Sequence, residues 1–237
     1  KMKNIHWLGS GLSSVPGIRR LASNNYNLTV WNRTLSKAQK SIDHVKTDKV
    51  SAKTFNINEI EEKVEQGDII VSQLTASMHL DIAKICLEKK CHFVTTSYLA
   101  PDIKKLNEQA VAQNLTFINE VGLDPGIDHF FSHLLVQELK SLNLNNLSVS
   151  YKSYCGGIPA VPNDFKYKFS WSPVGVIRAL NSTAKFTQNF EEKLVPQPYK
   201  EVKNHLINSE SFEAYPNRDS LPYIEEYLFS QFSQLSK

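Results

Sequence analysis

Two short stretches of this chain combine residue types that could hold phosphate. In "GSGLSSVP", residues 9–16, Gly9 and Gly11 follow an apolar run and precede a helix-spaced one, with Ser10 and Leu12 between and after them. Gly9 can supply a tight turn and Gly11 a close backbone approach to a pyrophosphate, which then rests on the positive end of the helix. The third glycine of the GxGxxG pattern is replaced by Ser14, small enough for close helix packing. A plain glycine-rich turn shows the same letters, but a position between strand and helix favours the nucleotide reading. The second stretch is "VWNRT", residues 30–34, with Asn32, Arg33 and Thr34 and no acid. A carboxylate there would bind a ribose 2′-hydroxyl, whereas a guanidinium can meet a 2′-phosphate, so NADP is expected over NAD. The bland alternative leaves Arg33 in solvent beside a Thr34 helix cap.

Three further stretches carry polar groups for a second ligand. "NEVGLDPGIDHFF", residues 119–131, places Leu123, Asp124 and Pro125 where a strand gives way to a helix. Asp124 either caps that helix or faces a substrate, and the two roles can coexist. Ile127, Phe130, Phe131, Leu134 and Leu135 are expected to be the helix's buried face. "QLTASMH" supplies Leu74, and "TTSYLA" supplies the hydroxyls of Thr96, Ser97 and Tyr98 at the ends of two more strands. Open parallel sheets bind ligands beyond those ends, although Thr and Ser there are also common turn formers. His79, His129 and His133 are acid–base candidates by type. His129 and His133 are spaced as a helical metal pair, yet no third ligand accompanies them, and no metal is expected.

These residues need elements to position them. Apolar runs at 4–9, 27–32, 50–55, 68–74, 92–97 and 116–121 alternate with helix-spaced segments at 12–23, 34–44, 58–66, 77–88 and 101–113. Such alternation predicts an open, doubly wound parallel α/β sheet. Past residue 140 the pattern changes. Residues 146–157 and 166–171 read as strands, "SPVGVIRALNSTA" as a helix capped by Ser172, 186–215 as short strand-like pieces, and 222–237 as an amphipathic helix without a closing strand. This is α+β material, assigned to a second domain.

The 237 residues are 41% hydrophobic with net charge +3, Lys+Arg 27 against Asp+Glu 24. That is enough chain for two modest domains, and the basic residues are scattered, which argues against nucleic acid and leaves a small anionic ligand open. Cys86, Cys91 and Cys155 form no CxxC pair, as suits a reduced, cytoplasmic protein. Met2 is read as the native start with no signal peptide, and no apolar run approaches the ~18 residues of a membrane helix.

Four blocks, "NEVGLDPGIDH", "SYCGGIPA", "YKFSWSPVGVIRALN" and "AYPNRDSLPY", span residues 119–223 and, with "TTSYLAPD" and the "GSG" loop, include nearly the whole chain. They resemble the glutamate-forming, NADP-dependent saccharopine dehydrogenases, also called saccharopine reductases. LDPG alone recurs in relatives that make carboxynorspermidine or homospermidine, whereas the ordered set is more specific. The resemblance implies an NADP-binding Rossmann domain over 1–125 and an α+β substrate and dimerisation domain over 126–237, hence a homodimer. It implies interconversion of saccharopine with glutamate plus 2-aminoadipate 6-semialdehyde through an imine. Carried over, the cofactor would meet Ser10, Gly11, Leu12, Asn32, Arg33, Thr34, Leu74, Thr96, Leu123, Asp124 and Pro125; the glycine turn and the strand end read above add Gly9 and Ser97. The substrate would meet Ser97, Tyr98, Asp124 and Arg218, with Asp124 orienting or handling a proton and Arg218 anchoring a carboxylate. This chain has Leu74-Thr75-Ala76-Ser77 where the family has a Pro-Tyr or similar pair, and a shorter segment after "CGG". The family pattern continues past residue 237 with a Thr-Leu-Arg-Tyr block, so the second domain is expected to be incomplete. The alternatives are a carboxynorspermidine-type reductase, which would want pocket acids for a diamine, and a non-catalytic NADP-binding sensor, which would not need the second-domain blocks.

Overall fold

The computed structural model describes residues 3–142, 148–228 and 234–236. The chain packs into two compact units, Lys1–Ile127 and Asp128–Lys237.

In the first unit, β1 (Asn4–Leu8), β2 (Asn27–Asn32), β3 (Val50–Thr54), β4 (Ile69–Ser72), β5 (His92–Thr95) and β6 (Phe117–Ile118) form one parallel sheet in the order β3-β2-β1-β4-β5-β6. The connections carry α1 (Val15–Ser23), α2 (Leu35–Ile42), α3 (Ile57–Lys63), α4 (His79–Lys89), α5 (Pro101–Lys104) and α6 (Asn107–Ala112). Neighbouring residues on each strand serve opposite layers, which is why the central strands carry apolar residues toward both sides. Leu8, Trp31, Ile70 and Phe93 pack with Ile60, Ile82 and Ala83 of α3 and α4. Ile5, Leu28, Val30 and Val71 pack with Ile18, Ala22 and Ala38 of α1 and α2. The order reverses between β1 and β4, leaving a switch point at their carboxyl ends.

Local chemistry sets several element ends. The Asn56 side chain caps α3 by accepting the amides of Asn58 and Glu59 at 3.0 and 3.3 Å. Thr34 stands at the start of α2, but its hydroxyl makes no capping bond. The helix expected over 101–113 breaks into α5 and α6, and Leu106 at the break packs against the core. The strand expected over 116–121 pairs only through Phe117 and Ile118. Glu120 takes a left-handed φ of 62°, which ends the extended run.

The second unit contains most of α7 (Ile127–Ser141), then β7 (Ser148–Ser150), α8 (Pro173–Leu180), β8 (Ala184–Gln188), β9 (Glu191–Val195), β10 (Lys203–Ile207), β11 (Glu210–Ala214), α9 (Tyr223–Glu226) and β12 (Gln234–Ser236). β8–β9 and β10–β11 are antiparallel hairpins. Their turns, Asn189-Phe190 and Asn208-Ser209, hold both residues at positive φ, as two-residue hairpin loops with right-handed twist require. Ser172 caps α8 by accepting the Gly175 amide at 3.2 Å, as expected.

Four expectations are corrected here. Of the strand expected over 146–157, only Ser148–Ser150 forms one; residues 151–157 form none, and 146–147 lie outside the described residues. Residues 166–171 form no strand: Lys166 is left-handed at φ 54°, and Tyr167 meets Phe165 and Phe169 edge to face. The apolar face of α7 is exposed, with Phe130 at 67% and Leu134 at 59%, because the buried face is that of Ser132 and Val136. Val136 packs with Tyr227, Leu139, Val149 and Tyr151. Finally, helix covers just Tyr223–Glu226 of the described part of 222–237, while Gln234–Ser236 pairs parallel with β7; residues 229–233 of that expected helix lie outside the described residues.

Candidate active site

Because all six strands of the first sheet run parallel, the loops that follow them share one edge. Gly9 sits at the switch point with φ 96°, and a Cβ there would lie 2.7 Å from the Gln73 carbonyl oxygen. Only glycine fits. The Gly9 amide extends the sheet by donating to Trp31 O at 2.7 Å, and the Ser10 amide donates to Asn32 Oδ1 at 3.2 Å. Asn32 in turn donates to Thr34 O at 3.0 Å, so it ties the glycine loop to the end of β2. A Cβ on Gly11 would meet nothing within 4 Å, so its backbone faces open space. Close helix packing falls on Gly17, whose added Cβ would meet the Trp7 ring at 2.6 Å, while Ser14 is buried.

Groups suited to an anion gather around this loop. Ser14, at the start of α1, makes no side-chain capping bond, and the first turn holds no acid, so among the described residues the helix's positive end stays uncompensated. Ser10 Oγ is enclosed with no hydrogen-bond partner among the described residues. Arg33 is exposed and likewise has no described partner. Leu12 and Leu123 expose apolar surface, and Leu74 is half-buried behind Gly9. The loop can therefore receive a phosphate on backbone amides, with a guanidinium beside it.

The ends of β5 and β6 build the second group. The Tyr98 hydroxyl donates to Asp124 Oδ1 at 2.5 Å. Asp124 is exposed and takes no helix amide among the described residues, so its carboxylate serves the phenol and the open edge, not a cap. The turn holding it is tight: Gly122 N donates to Pro125 O at 2.9 Å and Ile127 N to Gly122 O at 3.0 Å. Gly126, at φ 148°, would put a Cβ 2.2 Å from Gly122 O. The Asp124–Pro125 peptide is cis. Glu120 braces the neighbouring loop, its amide donating to Ser97 O at 3.1 Å and its carboxylate accepting the Leu99 amide at 2.8 Å. Thr96 donates to Gln73 Oε1 at 3.0 Å, linking the ends of β4 and β5.

Sequence reasoning held His79 as a candidate by type without a place. The structure buries it behind Ser97: Nε2 lies 2.8 Å from Ser97 Oγ and Nδ1 lies 2.9 Å from Ser72 Oγ. Burial holds its pKa below the ordinary imidazole range. Its position at the start of the helix after β4 was the available signal. His6 is also buried, between Trp31 Nε1 at 3.3 Å and Asp68 Oδ2 at 3.4 Å, and desolvation lowers its pKa against the pull of Asp68. Burial works to raise the Asp68 pKa, but the amides of Glu65 and Asn4 hold it below the usual carboxylate value.

Arg218 belongs to the second unit. It is exposed, left-handed at φ 56°, on a loop stitched to β8 by the Lys185 amide, which donates to Arg218 O at 2.8 Å. Tyr154 of the YCGG block stacks on His205 with ring centroids 4.1 Å apart. His129 Nδ1 is hydrogen-bonded to the Tyr227 hydroxyl, and His133 meets the same ring edge-on. Among the described residues no group of three His, Cys, Asp or Glu could hold a metal ion, and no helix is long and apolar enough to cross a membrane.

The strand order and the glycine loop at the switch point define the first unit as a dinucleotide-binding domain of the Rossmann type. Comparison with known proteins narrows this. Residues 5–118 match the saccharopine dehydrogenase NADP binding domain, and residues 122–235 match the saccharopine dehydrogenase C-terminal domain. The NADP-dependent, L-glutamate-forming saccharopine dehydrogenase of Pyricularia oryzae is 34% identical over 95% of this chain and 51% of its own length. The Schizosaccharomyces pombe enzyme of the same name is 35% identical over 95% of this chain and 52% of its own. The solved apo saccharopine dehydrogenase (L-Glu forming) of Saccharomyces cerevisiae superposes with a TM-score of 0.79 at 30% identity, covering 99% of this chain and 53% of that one. The chain belongs to the saccharopine dehydrogenase family, and it spans about half the length of these relatives.

Proposed function

We propose that the chain is part of an NADP-dependent oxidoreductase that interconverts saccharopine with glutamate and 2-aminoadipate 6-semialdehyde. The observation that carries this reading is the gathering at one sheet edge of an open glycine loop, an unopposed Arg33 and the Ser97, Tyr98 and Asp124 cluster. Gly9, Ser10, Gly11 and Leu12 would hold the pyrophosphate side. Arg33, with Asn32 and Thr34, would meet the 2′-phosphate, and Leu74, Thr96, Leu123 and Pro125 would line the nicotinamide end. The bound cofactor supplies or accepts the hydride.

The protein's own part is to position and to manage charge. Ser97 would hydrogen-bond the substrate. Asp124, fixed by the Tyr98 phenol at 2.5 Å, would orient the substrate nitrogen and exchange a proton with it as its basicity changes. Arg218, from the second unit, would bind a substrate carboxylate through its planar fork. The domain boundary would fall at residue 125, with the cofactor and the Ser97, Tyr98 and Asp124 substrate contacts on 1–125 and further substrate contacts on 126–237. The assembly is proposed to be a homodimer in the cytoplasm, where Cys91, its thiol pushed up to about 11 by burial, stays reduced.

The test is NADPH oxidation by the purified protein with glutamate plus 2-aminoadipate 6-semialdehyde, and separately with a diamine plus aspartate semialdehyde. Turnover with the first pair is expected. Turnover with the second pair alone would reassign the substrate, and NADPH binding without turnover of either pair would make the chain a sensor.

A further inference from the structure

The hydrogen bonds beneath Ser97 have a direction. Ser72 and Thr95 are fully enclosed on β4 and β5, and both hydroxyls reach His79. Ser72 Oγ lies 2.9 Å from Nδ1, its sole side-chain partner among the described residues. Thr95 Oγ1, which accepts the Ser97 amide, lies 3.3 Å from Nε2, and Ser97 Oγ lies 2.8 Å from the same nitrogen. A neutral imidazole offers one N–H and one bare nitrogen with a single lone pair.

The two tautomers differ in what they leave unsatisfied. With hydrogen on Nδ1, the buried Ser72 hydrogen has no described acceptor, and the one Nε2 lone pair must serve two hydroxyls. With hydrogen on Nε2, Ser72 donates to Nδ1 and the N–H meets Ser97 Oγ at 2.8 Å, so that only the Thr95 hydrogen is left without a described acceptor. The Nδ1–H form leaves the Ser72 hydrogen without an acceptor and, in addition, either the Thr95 hydrogen or a 2.8 Å contact between Ser97 Oγ and Nε2 that holds no hydrogen, and each such defect costs desolvation or lone-pair repulsion. The Nε2–H form wins. Ser97 then accepts from behind and turns its own hydrogen to the sheet edge.

We propose that His79 is a positioning residue that fixes Ser97 as a hydrogen-bond donor, so that the ligand atom meeting Ser97 is an acceptor such as a carboxylate oxygen. The identity of that ligand as saccharopine rests on the function proposed above; the direction of the relay does not.

Two measurements test this on the whole chain. Long-range proton–nitrogen spectra of imidazole-labelled protein should show His79 with hydrogen on Nε2, assigned by loss of the signal in His79→Gln. Hydrogen on Nδ1 would overturn the proposal whether or not saccharopine is turned over. In kinetics, Ser97→Ala and His79→Ala should each raise the saccharopine KM about 10-fold, as loss of a hydrogen bond to a charged group would. Because His79 acts through Ser97, the double variant should lose no more than about 2-fold beyond either single change. His79→Gln, which keeps an N–H donor, should fall within about 3-fold of the parent. Multiplying losses in the double variant would make His79 a packing residue only. Should His79→Ala fail to fold, His79→Gln against His79→Leu makes the same comparison, and equal losses would sink the idea. Absence of saccharopine turnover in the parent protein would overturn the proposed function and leave the spectrum to decide the relay.

Discussion

The two units treat their apolar residues differently. The first encloses Leu8, Trp31, Ile70 and Phe93 completely, since helices cover both faces of its sheet. Among its described residues the second buries few apolar groups beyond Val136, Ala184, Val195, Pro198 and Tyr227, and leaves Phe130, Phe131, Ile158, Phe165 and Leu206 exposed. Hydrophobic stabilisation follows area removed from water, at roughly 25 cal/mol per Å². The cofactor loops therefore spring from a scaffold held by its own core, whereas Arg218 sits on a loop held by backbone bonds to a hairpin. Rigid support comes from covered faces, and a sheet covered on both sides provides most of it.

This contrast can be broken experimentally. Trp31→Ala should cost about 3–5 kcal/mol in urea unfolding, whereas Phe130→Ala should cost under about 0.5 kcal/mol. A large loss at Phe130 would mean that its face is covered in solution. Next in size is the ligand contrast. Arg33→Asp should weaken NADPH binding about 100-fold in calorimetry and change NADH by less than about 3-fold, because only NADPH carries the phosphate. Arg218→Ala should leave NADPH affinity within about 2-fold while raising the saccharopine KM at least about 10-fold. Equal losses for both nucleotides would remove Arg33 from the phosphate site.

Smaller effects sharpen the comparison. Gly17→Ala forces a Cβ to 2.6 Å from the Trp7 ring, while Gly156→Ala meets nothing within 4 Å. The first should cost about 1–3 kcal/mol and the second under about 0.5 kcal/mol by urea midpoint. The last effect is in pH. Burial depresses the His79 and His6 pKa values in the folded chain, so below about 6.5 the unfolded chain binds more protons at these sites. Stability is full above that value and falls as pH drops through the folded pKa values. His79→Gln should flatten part of this slope in melting temperature against pH; an unchanged slope would place the titration elsewhere.

Much of the first unit could be read from the chain because its signals are local. Continuous apolar strands, the glycine pair after the first and the Asn32-Arg33-Thr34 end of the second all announce themselves within a few residues. The second unit was harder. The apolar stripe of α7 predicts a buried face, yet the helix packs through Ser132 and Val136, because aromatic residues far along the chain, Tyr151 and Tyr227, fill the other side. The role of His79 was invisible for a similar reason: its partners Ser72, Thr95 and Ser97 are brought to it by strand register, Ser72 lying opposite Thr95.

Residue order was enough to settle periodicity, turn glycines and the glycine loop after the first strand, since each depends on neighbours within a turn or a strand. Packing over long separations chose which helix face is covered, what Asp124 accepts and which way the bonds under Ser97 run. Those outcomes depend on distances of a few ångströms between groups 7 or more residues apart, and spacing along a chain does not encode them.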